Sequence, residues 1–362
     1  MTDKKEGMKI TTGISNAFKS EEIEAYSNAG VDEFFVGYIP AQWRDIYGYE
    51  VSCNRREHSN YQYHTISELS NVVELIHKFG KKVYLTLNAH EYSAQQIGLL
   101  FSILKSIEHI EFDAFIVSNI ALMLELRKSG FNIPFNISIG AGCNTIESFQ
   151  FYLDNISGIN KFILPRKFTV SELEIISEYT RNNDIKVEAF LLGDPCHFND
   201  EYCFTWHGAQ NESLCNSMMY TYRKAVPILL GRDWKKVVKT GKLDNLYLEL
   251  LNKTQKIDRQ RNNYFKNNPR LEFTNKDASK VNVLARINKC GLCMIRKFVE
   301  YGFDAVKLPL RGHSYQTNIE VIKIAKQIIE HANPTPQVCQ KILNAPHFCS
   351  GISCYYNYPY AN

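Results

Sequence analysis

The 362-residue sequence has no long apolar run and too few cysteines for a disulfide-stapled scaffold. A membrane-spanning helix needs ~18–20 consecutive apolar residues, and no run reaches that length. The opening residues MTDKKEGMKITTG contain no apolar core of signal-peptide length, so we expect a cytoplasmic protein with no membrane span. In a reduced compartment, the ten cysteines more often bind metal, react or pack as small apolar groups.

Several motifs of nucleotide-binding proteins and hydrolases are also absent. No G-x-G-x-x-G follows the first predicted strand and no Walker motif occurs, so the dinucleotide-binding and P-loop classes lack their defining feature. A peptidase needs an activated nucleophile or a metal-bound water, yet the sequence has neither G-x-S-x-G nor H-E-x-x-H. The 21 tyrosines and 21 phenylalanines exclude a wholly disordered chain.

Short apolar runs alternate with helical patterns along most of the chain. The runs predict strands at residues 9–14, 33–38, 82–87, 114–118, 135–139, 161–164, 186–192 and 304–308. Capping-box spacings, Thr65-x-x-Glu68 and Thr169-x-x-Glu172, predict the starts of two helices between them. Eight strand–helix units favour an α/β fold, a (β/α)8 TIM-like barrel, and a doubly wound open sheet is the alternative.

The predicted barrel is interrupted between its seventh and eighth strands. We therefore divide the chain into barrel units one to seven (8–193), an insertion containing cysteines and basic residues (194–289), the final barrel unit (290–332) and a tail containing Cys and Pro (333–362).

The insertion carries the positive charge of the molecule. Residues 232–289 contain 15 Lys and Arg against 6 Asp and Glu, a local charge of +9, whereas the whole chain is only +4. Because Tyr247, Tyr264 and Phe265 are interleaved with the cations, this segment is a candidate for contacts with the phosphate backbone of RNA. A solvated amphipathic helix is the alternative interpretation.

Polar and cationic residues follow the predicted strands at their carboxyl ends, where the active sites of such barrels lie. Asn88, Arg166, Lys307 and Arg311 are the candidate catalytic residues. Arginine can bind a carboxylate or phosphate through two parallel hydrogen bonds, so these residues predict a small anionic, carboxylated ligand. Simple capping of strand ends by surface cations is the alternative.

Four cysteines lie in the insertion or directly after it. Cys196, Cys203 and Cys215 follow the seventh strand, and Cys290 precedes the eighth unit together with Cys293. A barrel would return the segment of Cys290 to the end of the seventh strand. Four thiolates suit an iron–sulfur cluster or zinc, and the nearby histidines His197 and His207 keep zinc open. Buried or incidental thiols are the alternative.

The remaining cysteines form a second, looser set. Cys339, Cys349 and Cys354 lie in the tail, where they would hold another cluster with one borrowed ligand or form a redox-labile segment. Cys53 and Cys143 are isolated, and Cys143 either reacts at the barrel mouth or packs at a helix start.

Several segments in sequence order resemble the U32 family, historically called collagenase-like peptidases. They are the opening TTGISNAFKSEEIEAYSNAGVDEFFVG, the strand KKVYLTLNAH, FILPRKFTVSEL with Arg166, GDPCHFNDEYC with Cys196 and Cys203, and FVEYGFDAVKLPLRGHSY with Lys307 and Arg311. Their order and spacing, over residues 8 to 330, are more specific than any single motif.

The resemblance implies a [4Fe-4S] cluster on four cysteines, namely Cys196, Cys203, Cys215 and Cys290. It also implies oxygen-independent hydroxylation of RNA bases or of a small aromatic precursor, with prephenate as the carboxylated oxygen donor. A U32-type peptidase, and a non-catalytic iron–sulfur protein that binds RNA or a partner subunit of the same family, are the alternatives. The chain departs from the family pattern at Leu192, Met219 and Pro309, which indicates a divergent member.

Overall fold

The structure, a computed structural model, contains the predicted closed barrel. It describes residues 7–15, 20–48, 51–56, 61–166, 168–193, 200–201, 203, 290–310, 315–331, 333–343 and 354–356. Within them eight parallel strands form the barrel, and the first strand closes it by pairing with both the second and the last. This confirms the α/β (β/α)8 prediction, whereas nearly all of the 194–289 insertion lies outside the described residues.

The strands of the described part follow the predicted apolar runs closely. They are β1 (Lys9–Gly13), β2 (Glu33–Tyr38), β3 (Gln62–Tyr63), β4 (Lys82–Leu87), β5 (Ala114–Val117), β6 (Phe135–Ile137), β7 (Ile159–Ile163), β8 (Lys186–Phe190) and β9 (Ala305–Leu308). β3 is a two-residue addition that pairs only with the end of β2 and stands outside the barrel. Most strand residues are buried, as expected for a parallel sheet whose two faces are both covered.

Helices follow the strands and pack around the barrel. They are α1 (Ser20–Ala29), α2 (Ala41–Tyr47), α3 (Ile66–Lys78), α4 (Ala94–Ser106), α5 (Ile120–Lys128), α6 (Ile146–Asn155), α7 (Val170–Asn182), α8 (Ile295–Tyr301), α9 (Tyr315–Ile329) and α10 (Pro336–Leu343). None of the helices in these ranges is long and apolar enough to cross a membrane.

Both predicted capping boxes are present. The Thr65 hydroxyl accepts from the Glu68 backbone N–H at 3.2 Å, and the Glu68 carboxylate accepts from the Thr65 N–H at 3.1 Å. Thr169 and Glu172 repeat the arrangement at 3.3 and 2.6 Å. Each box binds two backbone N–H groups that the first helical turn leaves without a partner, which is why α3 and α7 begin where they do.

Two predicted strands end two residues earlier in the structure than the sequence predicts. The fifth predicted strand stops at Ile137, because Ser138 caps a short 3-10 turn at Ile139–Ala141. The seventh stops at Phe190, and Leu192 instead forms an isolated antiparallel bridge with Cys290. Both differences lie at the carboxyl ends of strands, the edge of the barrel that carries the candidate site.

Candidate metal centre and anion site

A cluster of buried charged residues connects four of the barrel strands. The Lys161 ammonium contacts the Glu33 carboxylate at 2.5 Å and the Glu188 carboxylate at 3.4 Å. Lys307 contacts the other oxygen of Glu188 at 2.7 Å, and the Thr11 hydroxyl donates to both carboxylates at 2.7 and 2.9 Å. Charges removed from water in this way are tolerable only when they are paired and hydrogen-bonded.

The charge states inside the barrel follow from this pairing. Burial acts to raise the pKa of the Glu188 carboxyl, but Lys307 and Lys161 outweigh it and hold that pKa below its ordinary value. Burial lowers the pKa of the Lys307 amine, with Glu188 opposing the change. Glu188 is therefore the ionised anchor of the cluster, and sequence reasoning missed it because it is a lone Glu in an apolar strand.

Lys307, a candidate catalytic residue, extends into the barrel from β9. It is 8% exposed, and its ammonium lies 4.2 Å from the centroid of the Phe35 ring. The sequence places Lys307 near the carboxyl end of a strand, and the structure adds that its charge is already bound to Glu188. Its predicted role towards a bound anion stays a prediction.

Arg166 and the newly identified Arg55 converge on one carboxylate at the barrel mouth. The Asp200 side chain lies 3.7 Å from Arg166 Nε and 3.6 Å from Arg55 Nη2. All three side chains are nearly buried, with exposed fractions of 9%, 10% and 6% for Arg166, Arg55 and Asp200. Asp200 lies between Cys196 and Cys203 in the sequence, and these contacts hold Asp200 itself against the barrel.

Asn88 organises the loop that carries Arg55. Its side-chain oxygen accepts from the Arg55 backbone N–H at 3.0 Å, and its amide donates to the Ser138 hydroxyl at 3.4 Å. Asn88 follows β4 and Ser138 follows β6, so the bonds connect strand ends across the mouth. The structure places Asn88 at a strand end, where it fixes a loop, and its predicted catalytic role stays a prediction.

Arg56 occupies the opposite part of the mouth. Its guanidinium donates to the backbone oxygens of Tyr61 at 2.9 Å and Phe35 at 3.1 Å, and also to that of Ile14. Its Cδ is so close to β2 that a Cβ added to Gly37 would lie 2.8 Å away. Arg56 therefore binds backbone oxygens next to β1 and β2, and the predicted anion-binding role of Arg166 stays a prediction.

Cys290 lies beside the end of β8, as the barrel topology predicts. It pairs with Leu192, and the adjacent Gly291 N–H donates to the Leu191 oxygen at 2.7 Å. Leu192 precedes the first predicted cysteine ligand, Cys196, by four positions in the sequence. The Cys290 sulfur accepts from the Leu292 N–H at 3.5 Å.

Only some of the predicted ligands can be located. Cys203 and Cys290 are described, whereas Cys196, Cys215 and the candidate Arg311 lie outside the described residues, as do His197, His207 and the basic segment 232–289. Among the residues that are described, no group of three or more His, Cys, Asp or Glu side chains is assembled as a metal site.

Cys53 and Cys143 belong to the apolar core. Burial raises the pKa of the Cys53 thiol to about 12 and raises that of Cys143 as well. The Cys53 thiol donates to the Tyr38 oxygen at 3.2 Å. Reactive cysteines need a stabilised thiolate, so the structure favours packing for Cys143.

Fold and site together define a (β/α)8 barrel protein with cysteines and two arginines at the carboxyl ends of its strands. The chain belongs to the U32 peptidase family, whose family model matches residues 19–347. This confirms the resemblance inferred from the motifs.

Two curated relatives match the chain at low identity. The Bacillus subtilis relative, tRNA hydroxylation protein P1, is 25% identical over 183 residues, 51% of this chain and 39% of that protein. The Helicobacter pylori relative, tRNA hydroxylation protein P, is 24% identical over 184 residues, again 51% of this chain and 39% of that protein. The matches thus span well under half the length of these relatives.

A solved structure entitled "The Structure of the U32 Peptidase Mk0906" is also similar. It is 14% identical with a TM-score of 0.36, and the match covers 54% of this chain and 74% of that chain.

Proposed function

We propose that this chain is an iron–sulfur enzyme that hydroxylates RNA, with tRNA as its substrate class. The reaction would use a carboxylated oxygen donor such as prephenate in place of molecular oxygen. Family membership and the names of the two relatives, both tRNA hydroxylation proteins, support tRNA as the substrate. The observation that carries the proposal is the position of Cys290 beside the end of β8, from which the chain runs into the Cys196–Cys203 segment.

The residues present fit a cluster bound by Cys196, Cys203, Cys215 and Cys290. Two independent contacts bring the described parts of these segments to one edge of the barrel: the Leu192–Cys290 bridge, and the contact of Asp200 with Arg166. Soft thiolates are the donors that iron–sulfur clusters require, and a backbone N–H already points at the Cys290 sulfur. When bound, such a cluster supplies electron transfer or an open coordination position.

Arg55 and Arg166 would bind the carboxylated donor. Their guanidinium groups already converge on the carboxylate of Asp200, at separations longer than a tight charge-assisted hydrogen bond. A ligand carboxylate that displaces Asp200 would gain both cations at once. The ring of Phe190 lies 4.4 Å from the Arg166 guanidinium and holds it in place.

The donor site can be tested by binding measurements with prephenate. Arg55→Met and Arg166→Met should each weaken binding by tenfold or more, because each removes one of two charge-assisted contacts. Arg127→Met is the matched control, since Arg127 binds the Ser157 and Phe131 oxygens on the outer surface. If Arg55→Met and Arg166→Met both bind prephenate with unchanged affinity, these arginines are not part of the donor site.

The cluster is tested by anaerobic purification with iron and sulfide analysis. We expect about four of each per chain in the wild type and a loss in Cys290→Ser. Cys53→Ser is the control, because serine can keep the hydrogen bond to the Tyr38 oxygen. Full iron content in Cys290→Ser would defeat the ligand assignment.

Activity is tested by incubating the anaerobic protein with unmodified tRNA and prephenate and analysing the nucleosides by mass spectrometry. A hydroxylated nucleoside that forms only with prephenate present supports the proposal. Salt-sensitive RNA binding without any new nucleoside would instead favour the non-catalytic alternative. Zinc in place of iron, with chelator-sensitive cleavage of a protein substrate, would favour the peptidase.

A further inference from the structure

We propose that the Asp200 side chain regulates the anion site by occupying its two arginines until a ligand carboxylate displaces it. The inference rests on the proposed function, because it takes Arg55 and Arg166 as the cations that bind the ligand. It goes further by assigning Asp200 an autoinhibitory role. A carboxylate of the chain itself competes with the carboxylate of the ligand for the same two guanidinium groups.

The ion pairs of Asp200 are buried but loose. The carboxylate lies 3.6 Å from Arg55 Nη2 and 3.7 Å from Arg166 Nε, although the Asp200 side chain is only 6% exposed. On the surface of the same molecule, Arg296 and Glu300 approach to 2.8 Å. Charges removed from water need close partners to offset their lost hydration. A buried pair with such long separations is therefore a poor permanent contact, and a ligand carboxylate that fits more closely can replace it.

Both arginines are also held by contacts that do not involve Asp200. The backbone N–H of Arg55 donates to the Asn88 side-chain oxygen at 3.0 Å, which fixes the position of this residue in its loop. The guanidinium of Arg166 lies 4.4 Å from the centroid of the Phe190 ring. Loss of the Asp200 carboxylate should therefore leave both cations near their present positions, where they can receive a ligand.

The next residue, Glu201, anchors the backbone of Asp200 at the mouth. The Glu201 carboxylate accepts from the Asn144 amide at 2.8 Å, and a Cβ added to Gly142 would lie 3.4 Å from the Glu201 Cβ. Arg55 Nη1 also donates to the backbone oxygen of Asp200 at 3.4 Å. These contacts keep the Asp200 side chain beside the arginines even when its carboxylate is displaced. An internal group held in this way has a high effective concentration and competes strongly with a free ligand.

Competition of this kind predicts the sign of a mutational effect. The apparent affinity for a ligand falls in proportion to the fraction of molecules whose site is available. A site that Asp200 occupies about 90% of the time would bind a ligand about tenfold more weakly than the same site without the competitor. Removing the Asp200 charge should thus tighten binding, whereas removing a residue that only positions the arginines would weaken it.

The first experiment measures prephenate binding to the full chain as wild type, Asp200→Asn and Glu201→Gln. Asp200→Asn keeps the size of the side chain and the backbone contact with Arg55, so it should bind about tenfold more tightly or better. Glu201→Gln is the matched control. It removes a neighbouring charge whose partner is Asn144, and its affinity should equal that of the wild type. Equal or weaker binding by Asp200→Asn would overturn the proposal.

Arginine modification tests the same contact without prephenate. Phenylglyoxal reacts with guanidinium groups, and mass spectrometry of the peptides gives the rate at each arginine. In Asp200→Asn, Arg55 and Arg166 should react several-fold faster than in the wild type, because the carboxylate that covers them is gone. Arg127 should react at one rate in both proteins, since it binds the Ser157 oxygen on the outer surface. Unchanged rates at Arg55 and Arg166 would contradict the proposal.

A second variant and the combined readouts keep the outcomes distinct. Asp200→Ala, checked for folding by circular dichroism, should shift both measurements in the same direction as Asp200→Asn, and weaker prephenate binding in this variant would also count against the proposal. If the arginines react faster in Asp200→Asn but prephenate protects neither, the donor assignment fails while Asp200 remains the occupant of both arginines. If prephenate binds the wild type as tightly as Asp200→Asn, the donor site stands and the competition is refuted.

Discussion

Replacing Glu188 should strongly lower the free energy of unfolding of the barrel. Its side chain is fully buried, and it contacts Lys307 at 2.7 Å and Lys161 at 3.4 Å. Glu188→Gln keeps the size and shape of the side chain but removes its charge. Both ammonium groups then lose a buried counter-ion, although Lys161 keeps Glu33 at 2.5 Å.

The expected loss of folding stability can be worked out from these distances. At an effective dielectric constant of about 20, Coulomb's law gives about 6 kcal/mol for the Lys307 contact and about 5 kcal/mol for the Lys161 contact. Desolvation of the carboxylate costs several kcal/mol and offsets much of this attraction. Removing one partner of a buried ion pair costs about 3–5 kcal/mol, and we expect Glu188→Gln to lie in that range.

Urea unfolding followed by circular dichroism measures the effect. Glu178→Gln is the matched control, because Glu178 is exposed on α7 and should change the free energy of unfolding by less than about 0.5 kcal/mol. Adding Lys307→Met to Glu188→Gln should cost less than the two single changes together, since the double variant lacks the uncompensated ammonium. A loss below about 1 kcal/mol in Glu188→Gln would refute the ion-cluster reasoning.

The pH dependence gives a second test of the same residue. The folded-state pKa of Glu188 lies below its ordinary value, so its stabilisation is fully present above the unfolded-state pKa. The stabilisation is lost as pH falls from that value through the folded one. The difference between wild type and Glu188→Gln should thus be constant near neutral pH and shrink below about pH 4.3.

Three further changes test local features by the same unfolding measurement. Gly37→Ala should destabilise the protein by about 1–3 kcal/mol, because the new methyl group would meet Arg56 Cδ at 2.8 Å and the Tyr61 oxygen at 2.9 Å. Gly98→Ala, in α4 with no atom near the new methyl, should have the opposite sign and stabilise by about 0.5–1 kcal/mol. Thr169→Ala should cost about 1 kcal/mol through loss of the α7 cap. Equal effects of the two glycine changes would contradict the close approach at Gly37.

The barrel itself was predictable because its signals are local. Apolar runs of strand length and the capping boxes at Thr65 and Thr169 are read from a few neighbouring residues, and the structure has strands and helices at those places. The missed elements have weak local signals. β3 contains only two residues, and α6 begins at a box closed by Ser148 in place of the usual Glu or Gln.

The positions of site residues could be predicted only where the barrel topology alone decides them. Once eight parallel units are assumed, the segment of Cys290 must return beside the seventh predicted strand, and it does so at Leu192. No sequence pattern connects Arg55 with Asp200, because the two residues are 145 positions apart and meet only through the fold. The same holds for Cys290 and Cys354, which form an isolated parallel bridge.

Short-range patterning along this chain is sufficient for the fold class, the order of the strands, the starts of α3 and α7, and the family. It also selects Asn88, Arg166 and Lys307 as residues near the strand ends. The partner of each charge depends on side chains that converge from distant strands: Glu188 for Lys307, Asp200 for Arg166, and the pairing of Cys354 with Cys290. Such pairings depend on how the barrel closes and on the register of its strands. Long-range packing sets both, and local periodicity in the sequence carries no information about them.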